Sequence, residues 1–241
     1  MSPSGFLALR DTAALWEMDR PDCDPVLLEN TYRQFSLVNA VVSGWRHTYG
    51  TLLRPRLSTS SSCSLLDVGS GGGDVPRALA RWARKDGLDL EITAIDPDER
   101  AHAFAITQPQ VPGLTFRRAF SSELVAEGRT FDAVISNHLL HHLSPDEFTG
   151  LLRDTERLSP GIAVHSDISR HRVAYGLFSV GTIPLRNSYI RADGLTSIRR
   201  SYTPTELRLR LKEEHRTGWS VRSSPLFHHS LVYEPGGNDR A

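Results

Sequence analysis

Cysteine is nearly absent. Cys23 and Cys63 are the only two in 241 residues. Two are too few for a disulfide framework and sit in no metal-ligand spacing, so a stapled extracellular scaffold and a cysteine-based metal centre are excluded; no metal is expected, and a reducing cytoplasm is the expected compartment. Long apolar runs are missing too: none approaches the roughly 20 residues that cross a bilayer. The opening stretch MSPSGFLALRDTAALWEMDR carries acids and has no signal-type apolar core, so secretion is not expected. Nor is there an excess of either charge, since 28 basic side chains balance 28 acidic ones. A neutral chain has no electrostatic footprint for nucleic acid or an anionic membrane. That leaves a small-molecule partner, with the chain a monomer or homodimer. Hydrophobic residues make up 39%, enough for a core. The length allows one large domain or one domain with a cap.

What the chain does have is glycine in one place. Leu65-Leu66-Asp67-Val68-Gly69-Ser70-Gly71-Gly72-Gly73-Asp74 reads as a buried strand ending in an acid, then a glycine-rich turn, then a helix from Val75 to Arg84. Such a turn lets the backbone approach a ligand closely, and the helix N-terminus presents free N–H groups. A dinucleotide cradle requires Gly-x-Gly-x-x-Gly. Counting from Gly69, its third glycine falls on Asp74, whose charge would repel a pyrophosphate. Asp67 adds a second negative charge at the strand tip. The loop suits a ligand with positive charge and no phosphate.

After a Ser/Thr-rich connector at 57–64, strand patterns at 64–68, 90–95, 114–118, 131–136 and 161–166 alternate with helix patterns at 75–84, 98–106, 145–158 and 204–214. Ser144-Pro145-Asp146-Glu147 and Thr203-Pro204-Thr205-Glu206 are capping boxes with proline in the first turn. Alternation of this kind predicts an α/β fold, a mostly parallel sheet with helices on both faces. Two late runs, 219–222 and 227–233, suit an antiparallel hairpin at its edge, before a frayed tail from Pro235 to Ala241. Upstream, Leu28, Tyr32, Phe35, Asn39, Val42 and Arg46 recur at helical spacing. Asn39 and Arg46 interrupt that stripe and need partners. Either these are backbone groups of the core, or the helix lies over a ligand pocket, where Tyr32, Asn39 or Arg46 would grip a carboxylate.

The pattern Asp-x-Gly-x-Gly-x-Gly at Asp67, Gly69, Gly71 and Gly73 resembles the first motif of the class I S-adenosylmethionine-dependent methyltransferases. Phe131–Ser136 with Asn137-His138-Leu139-Leu140-His141-His142 resembles the fourth. The resemblance covers roughly 60–235. The segment from Trp16 to Arg46 is similar to small bacterial enzymes that tailor polyketide-type natural products. It implies a Rossmann-like seven-stranded sheet with a C-terminal hairpin, a helical cap and connector over 1–60, and a cofactor-binding core over 61–241 with a substrate lid at about 168–202. The implied cofactor, S-adenosyl-L-methionine, has an amino group, a sulfonium and no phosphate, in keeping with the charge of the loop. Asp67, Gly69, Ser70 and Gly71 would cradle it. Asp96, at the tip of the second strand and followed by Pro97, would accept hydrogen bonds from the ribose. Relatives carry an aspartate against the adenine where this chain has Phe120, so Phe120 would stack or Ser121 would bond there. Asn137 would face the cofactor. Base-methylating enzymes carry Asn-Pro-Pro-Tyr or Asp-Pro-Pro-Tyr at this point, and this chain does not.

Methyl transfer needs alignment of nucleophile and methyl, and a base only where the nucleophile arrives protonated, as a phenol does. His138 is the first candidate base and His141 the second. Packing or capping suits His141 and His142 better than catalysis, and Asp167 ends the fifth strand, where it would orient a histidine or touch substrate. Tyr175, Phe178, Ile183, Tyr189 and Ile190 form either a satellite core or a pocket wall, and Arg170 or Arg172 would meet a substrate carboxylate in the second case. The expected activity is methyl transfer to a small aromatic or polyketide-like acceptor, at oxygen ahead of carbon. An NAD(P)-dependent oxidoreductase is disfavoured by Asp67 and Asp74. A non-catalytic cofactor-binding protein has support only from Phe120.

Overall fold

A computed structural model describes residues 5–224 and 226–236; the tail expected from 237 onward lies outside them. Among the described residues no helix is long and apolar enough to cross a membrane.

The strands are β1 Cys63–Val68, β2 Leu90–Ile95, β3 Leu114–Arg117, β4 Ala133–Asn137, β5 Ile162–Ile168, β6 Trp219–Ser224 and β7 His228–Tyr233. They form one seven-stranded sheet in the order β3-β2-β1-β4-β5-β7-β6. The first five are mutually parallel; β7 runs antiparallel to both β5 and β6. Successive residues face opposite sides, and both sides are covered. Leu65, Ile92, Ile135 and Val164 pack with Leu79 and Ala83 of helix α3 (Asp74–Lys85). Leu66, Val134, Ala163 and Leu231 pack on the opposite side, with Phe148 and Leu152 of α6 (Pro145–Leu158) and Leu207 of α9 (Pro204–Glu213). Burial on both sides is why these strands read as near-continuous apolar runs. Between them come α4 (Glu99–Thr107) and a short α5 (Ser121–Ala126) that the sequence pattern had not marked. Both expected capping boxes form: Ser144 Oγ accepts from the Glu147 N–H, and Thr203 Oγ1 from the Glu206 N–H.

The strand order reverses between the parallel β1 and β4, so the carboxyl ends of these two strands flank a crevice where ligands bind in open α/β sheets. Three segments roof it. Residues 5–24 run as a strap and lead into α1 (Pro25–Val42). The stretch between β5 and α9 is not a loop but two helices, α7 (Arg172–Gly181) and α8 (Ile190–Arg200). Asp193 of α8 holds the strap by accepting the Glu17 and Met18 N–H groups at 2.7 and 3.0 Å. The Trp16 indole N–H donates to Ser197 Oγ, and the Arg200 guanidinium donates to the Thr12 and Ala14 carbonyls.

The stripe expected to run from Leu28 to Arg46 is broken. Helix α1 ends at Val42, and Gly44 turns the chain at φ +67 into a separate short helix, α2 (Trp45–Thr48). Arg46 therefore leaves the face that carries Tyr32 and Asn39.

His165 of β5 is wholly buried between two hydroxyls, Ser136 Oγ at 2.8 Å and Thr155 Oγ1 at 3.1 Å. Burial holds its pKa down at about 3, so it is a neutral core histidine. Below pH 6.5 the unfolded chain binds a proton there that the folded chain refuses until near pH 3. Stability from this site is therefore full above 6.5 and falls on acidification. The stability difference between wild type and His165→Gln should shift by about 1.4 kcal/mol per pH unit from pH 6 to 4, against the wild type. Urea unfolding at three pH values measures it, and a parallel pH dependence of the two proteins would remove His165 from the acid response.

Candidate functional site

The crevice is a cavity of about 310 Å³. Its floor is the glycine turn. Gly69 takes φ +70, Gly71 φ +53 and Gly73 φ +77. Gly73 tolerates no side chain: a Cβ there would stand 2.5 Å from the Phe116 ring and 2.5 Å from Arg77 Nη1. The buried Arg77 guanidinium spans the turn from beneath, donating to the Gly72 and Gly73 carbonyls at 2.9 Å each and to the Ala105 carbonyl at 2.5 Å. It also lies 4.6 Å over Phe116. Sequence reasoning passed over Arg77, because nothing local distinguishes an arginine four residues into a helix from a solvated one.

Asp67 ends β1 fully buried, and neither carboxylate oxygen has a donor within the described chain. Burial, reinforced by the charges of Asp74 and Asp96, raises its pKa well above the usual carboxylate range. A buried carboxyl facing a cavity without a donor is costly unless the ligand supplies one. Asp74 opens α3 and accepts from the Asn39 amide at 2.8 Å, so the partner of Asn39 is this side chain rather than backbone. Asp96 is held rigidly: its two oxygens accept the Gly71 N–H at 2.8 Å and the Asp98 N–H at 2.9 Å. Each oxygen keeps a lone pair for a ribose hydroxyl. Six aspartates line the cavity, Asp19, Asp67, Asp74, Asp96, Asp98 and Asp193, and among the described residues no lysine or arginine does. A pyrophosphate does not fit such a lining. An ammonium and a sulfonium at Asp67 and a ribose at Asp96 do, so the residues present fit S-adenosylmethionine.

The other end holds the histidines. Asn137 ends β4; its Oδ1 accepts the Trp45 indole N–H at 2.8 Å, which ties α2 to the strand. His138 follows at φ +53, a conformation that costs strain in a residue with a Cβ. Its Nε2 lies 3.0 Å from His228 Nε2, while His228 Nδ1 lies 2.9 Å from the Leu226 carbonyl. The carbonyl requires a proton on His228 Nδ1, so His228 Nε2 is the acceptor and His138 Nε2–H donates to it. Burial and the facing His228 hold the His138 pKa at about 3. His141 differs. Its Nδ1 is 2.6 Å from Asp167 Oδ1, its backbone N–H donates to Asp167 Oδ2 at 2.9 Å, and its buried Nε2 has no partner. Burial lowers the pKa of His141, with Asp167 partly offsetting it. Burial alone would raise Asp167, but His141 outweighs that and holds it below the usual range. Both histidines line the cavity. His142 lines it as well, stacked on Trp16 with 3.9 Å between ring centroids at 15°.

Most of the expected site residues meet here. Asp67, Gly69, Ser70 and Gly71 line the cavity from the turn, Asp96 and Pro97 from β2, and Asn137, His138 and His141 from β4; Tyr32 lines it from α1. Three do not. Phe120 is 60% exposed and Ser121 Oγ donates to Asp154 at 2.6 Å, so neither reaches the cavity. Phe120 caps the N-terminus of α5 and Ser121 is its first residue. Arg46 borders a separate hollow between α1 and α3, 5.1 Å over Trp82. Nor do the lid arginines face a ligand. Arg170 is buried against Glu206 and the Ser201 and Leu7 carbonyls, and Arg172 donates to the Phe6 carbonyl. Of the lid aromatics Phe178 lines the cavity, whereas Tyr189 accepts the Asp24 N–H and Tyr175 packs on Phe6. His228 went unnoticed because only strand pairing brings β7 beside β5.

Comparison with known proteins agrees with this geometry. Residues 65–160 match the family model described as a methyltransferase domain. Ubiquinone biosynthesis O-methyltransferases are similar in part. The protein of Roseobacter denitrificans is 30% identical over 121 residues, 48% of this chain and 46% of that protein. The one of Caulobacter vibrioides is 33% identical over 123 residues, 49% of this chain and 46% of that protein. The chain thus spans about half the length of these curated relatives. In fold it resembles the plantazolicin methyltransferase BpumL in complex with SAH, at TM-score 0.64 and 12% identity over 90% of this chain and 92% of that one. It also resembles a SAM-dependent methyltransferase from Aquifex aeolicus, at TM-score 0.56 and 14% identity over 87% and 97%. Strand order, the acid-led glycine turn and the domain match converge: over residues 65–160 the chain carries a methyltransferase domain, set in a sheet with the Rossmann-like fold of the S-adenosylmethionine-dependent methyltransferases.

Proposed function

We propose that this chain transfers the methyl group of S-adenosylmethionine to a hydroxyl of a small aromatic, polyketide-like acceptor, with His141 rather than His138 taking the proton. The observation that carries this reading is the pairing within one cavity of an orphaned Asp67 carboxylate at one end with a His141–Asp167 pair, its Nε2 free, at the other.

The bound cofactor supplies a methyl on a sulfonium, an electrophile whose leaving group departs neutral. Asp67 and Asp96 anchor the ammonium and the ribose, and the pinned glycine turn sets their depth. Such positioning supplies a large part of the acceleration. A phenol of pKa near 10 needs a base at neutral pH. As the oxygen attacks, its proton passes to His141 Nε2. The Asp167 carboxylate faces the ring's other nitrogen, so the imidazolium forms beside a fixed negative charge. His138 has no carboxylate partner, and its charging is opposed by burial and His228. The names of the partial relatives, O-methyltransferases of ubiquinone biosynthesis, favour oxygen over carbon.

Calorimetric titration tests the cofactor half. S-adenosylhomocysteine is expected to bind and NADH not to. Asp96→Ala should weaken the former by about 10- to 100-fold, the loss of hydrogen bonds to a charged acceptor. Binding of NADH by the wild type, or equal affinity of the variant for S-adenosylhomocysteine, would overturn the assignment. Mass and NMR analysis of the product from a phenol panel reads the acceptor atom directly.

A further inference from the structure

The cavity carries negative charge beyond what the cofactor uses. Asp67, Asp74, Asp96 and Asp98 cluster at the glycine turn and the β2 tip. Asp19 of the strap and Asp193 of α8 add to them from the roof, with Trp16 and Phe178 in the same lining, and Asp19 lies within charge range of both Asp96 and Asp193. Asp193 spends both oxygens on the strap N–H groups. Asp19 has its side chain half exposed, with His142 Nδ1 3.7 Å from its carboxylate. The arginines that come near the strap are turned to other partners. Arg100 pairs with Asp98 and donates to the Met18 carbonyl, Arg20 pairs with Glu17 and Asp22, and Arg200 serves the Thr12 and Ala14 carbonyls. Beside this roof lies the partnerless His141 Nε2, itself buried and lining the same cavity.

We infer that the site selects its acceptor by charge, favouring an aromatic hydroxyl compound that bears a cationic group and rejecting one that bears a carboxylate, with Asp19 as the residue that sets the preference. This rests on the proposed methyl transfer and narrows its substrate class. The reason is Coulombic. In a partly enclosed site a unit charge a few ångströms from Asp19 feels an interaction several-fold stronger than in bulk water. No arginine or lysine of the lining offsets it for an anion, and Asp193 adds to the field. Trp16 and Phe178 supply ring faces for an aromatic body, and a ring face also attracts a cation.

The test uses three phenols of matched length: tyramine, 4-propylphenol and 3-(4-hydroxyphenyl)propionate. Affinity is measured by calorimetry on protein saturated with S-adenosylhomocysteine, and kcat/KM with S-adenosylmethionine. The expected order is cationic, then neutral, then anionic, with about tenfold or more between the first and last in Kd. Asp19→Asn should shrink that ratio, and Asp19→Lys should reverse it. Asp19 is half exposed on a strap held by other residues, so both variants are expected to fold, and circular dichroism checks this. Equal affinity for the three phenols, tighter binding of the propionate, binding of none of them, or an unchanged ratio in Asp19→Lys would each overturn the inference. The expected affinity order without turnover would leave it standing and overturn the methyl-transfer reading instead, so the two fail separately.

Discussion

Replacing His141 by alanine is expected to lower kcat for methyl transfer to a phenol by about 10²- to 10⁴-fold, the range of a positioned general base. Affinity for S-adenosylhomocysteine should persist, since the proposed cofactor anchors, Asp67 and Asp96, lie at the ends of other strands. His138→Ala should cost far less in kcat. His138 has the more conspicuous place, directly after β4, but its Nε2–H is engaged by His228 and its ring resists a positive charge. Asp167→Asn should reproduce most of the His141 loss, because an amide in place of the carboxylate no longer compensates the imidazolium. It also weakens a buried interaction, so its thermal unfolding is measured alongside. Two further readouts separate a base from a packing residue. Supplied imidazole should partly restore His141→Ala. On an acceptor whose phenol is already ionised at the assay pH, wild type and His141→Ala should converge. If His141→Ala turns over a neutral phenol like the wild type, the base assignment is wrong.

Gly73→Ala is expected to damage stability and cofactor binding together. At φ +77 an L-residue is strained by roughly 1–2 kcal/mol, and the added Cβ stands 2.5 Å from the Phe116 ring, an overpacking that typically costs about 1–3 kcal/mol more. A total near 3 kcal/mol would lower Tm by about 10 °C in a domain of this size. Binding should suffer beyond stability, because Arg77 donates to the Gly73 carbonyl and sits where the methyl must go. Shifting Arg77 loosens the turn whose Gly71 N–H is fixed by Asp96. Gly87→Ala is the control: its φ is +70, with nothing within 4 Å of the new Cβ. It should show the conformational strain alone and keep the wild-type affinity. Equal effects of the two substitutions on S-adenosylhomocysteine binding would mean that the packing under the turn is not what shapes the site.

The sheet was legible because its signals are local. Apolar runs at 64–68 and 90–95, turns of glycine and aspartate, and two proline-led capping boxes each report on the residues within one turn or strand, and they fall where the elements do. The stripe through Arg46 failed for a local reason that periodicity ignores. Gly44 takes a left-handed conformation, and one such residue ends a helix however regular the spacing on either side. Phe120 and Ser121 miss the cavity for another reason: Phe120 stands 60% exposed just before α5 and Ser121 turns its hydroxyl to Asp154, and only the packed structure fixes those directions.

By itself the sequence determined the α/β alternation, the acid-led glycine turn, the unsuitability of that turn for a pyrophosphate, and the strand ends that carry Asp96, Asn137 and His138. All of these depend on spacing along a few residues. What tertiary structure alone decided was which side chains meet. Asp167 is 26 residues from His141, and His228 is 90 from His138. Pairing of β4, β5 and β7 brings them within hydrogen-bonding distance. The strap, folded back by Asp193 from 176 residues away, brings Trp16 and Asp19 into the lining of the cavity. Hydrophobic pattern specifies which residues are buried, but it is silent on which buried polar groups pair. That depends on strand order and register, and here the pairing separates a histidine with a compensating carboxylate from one without.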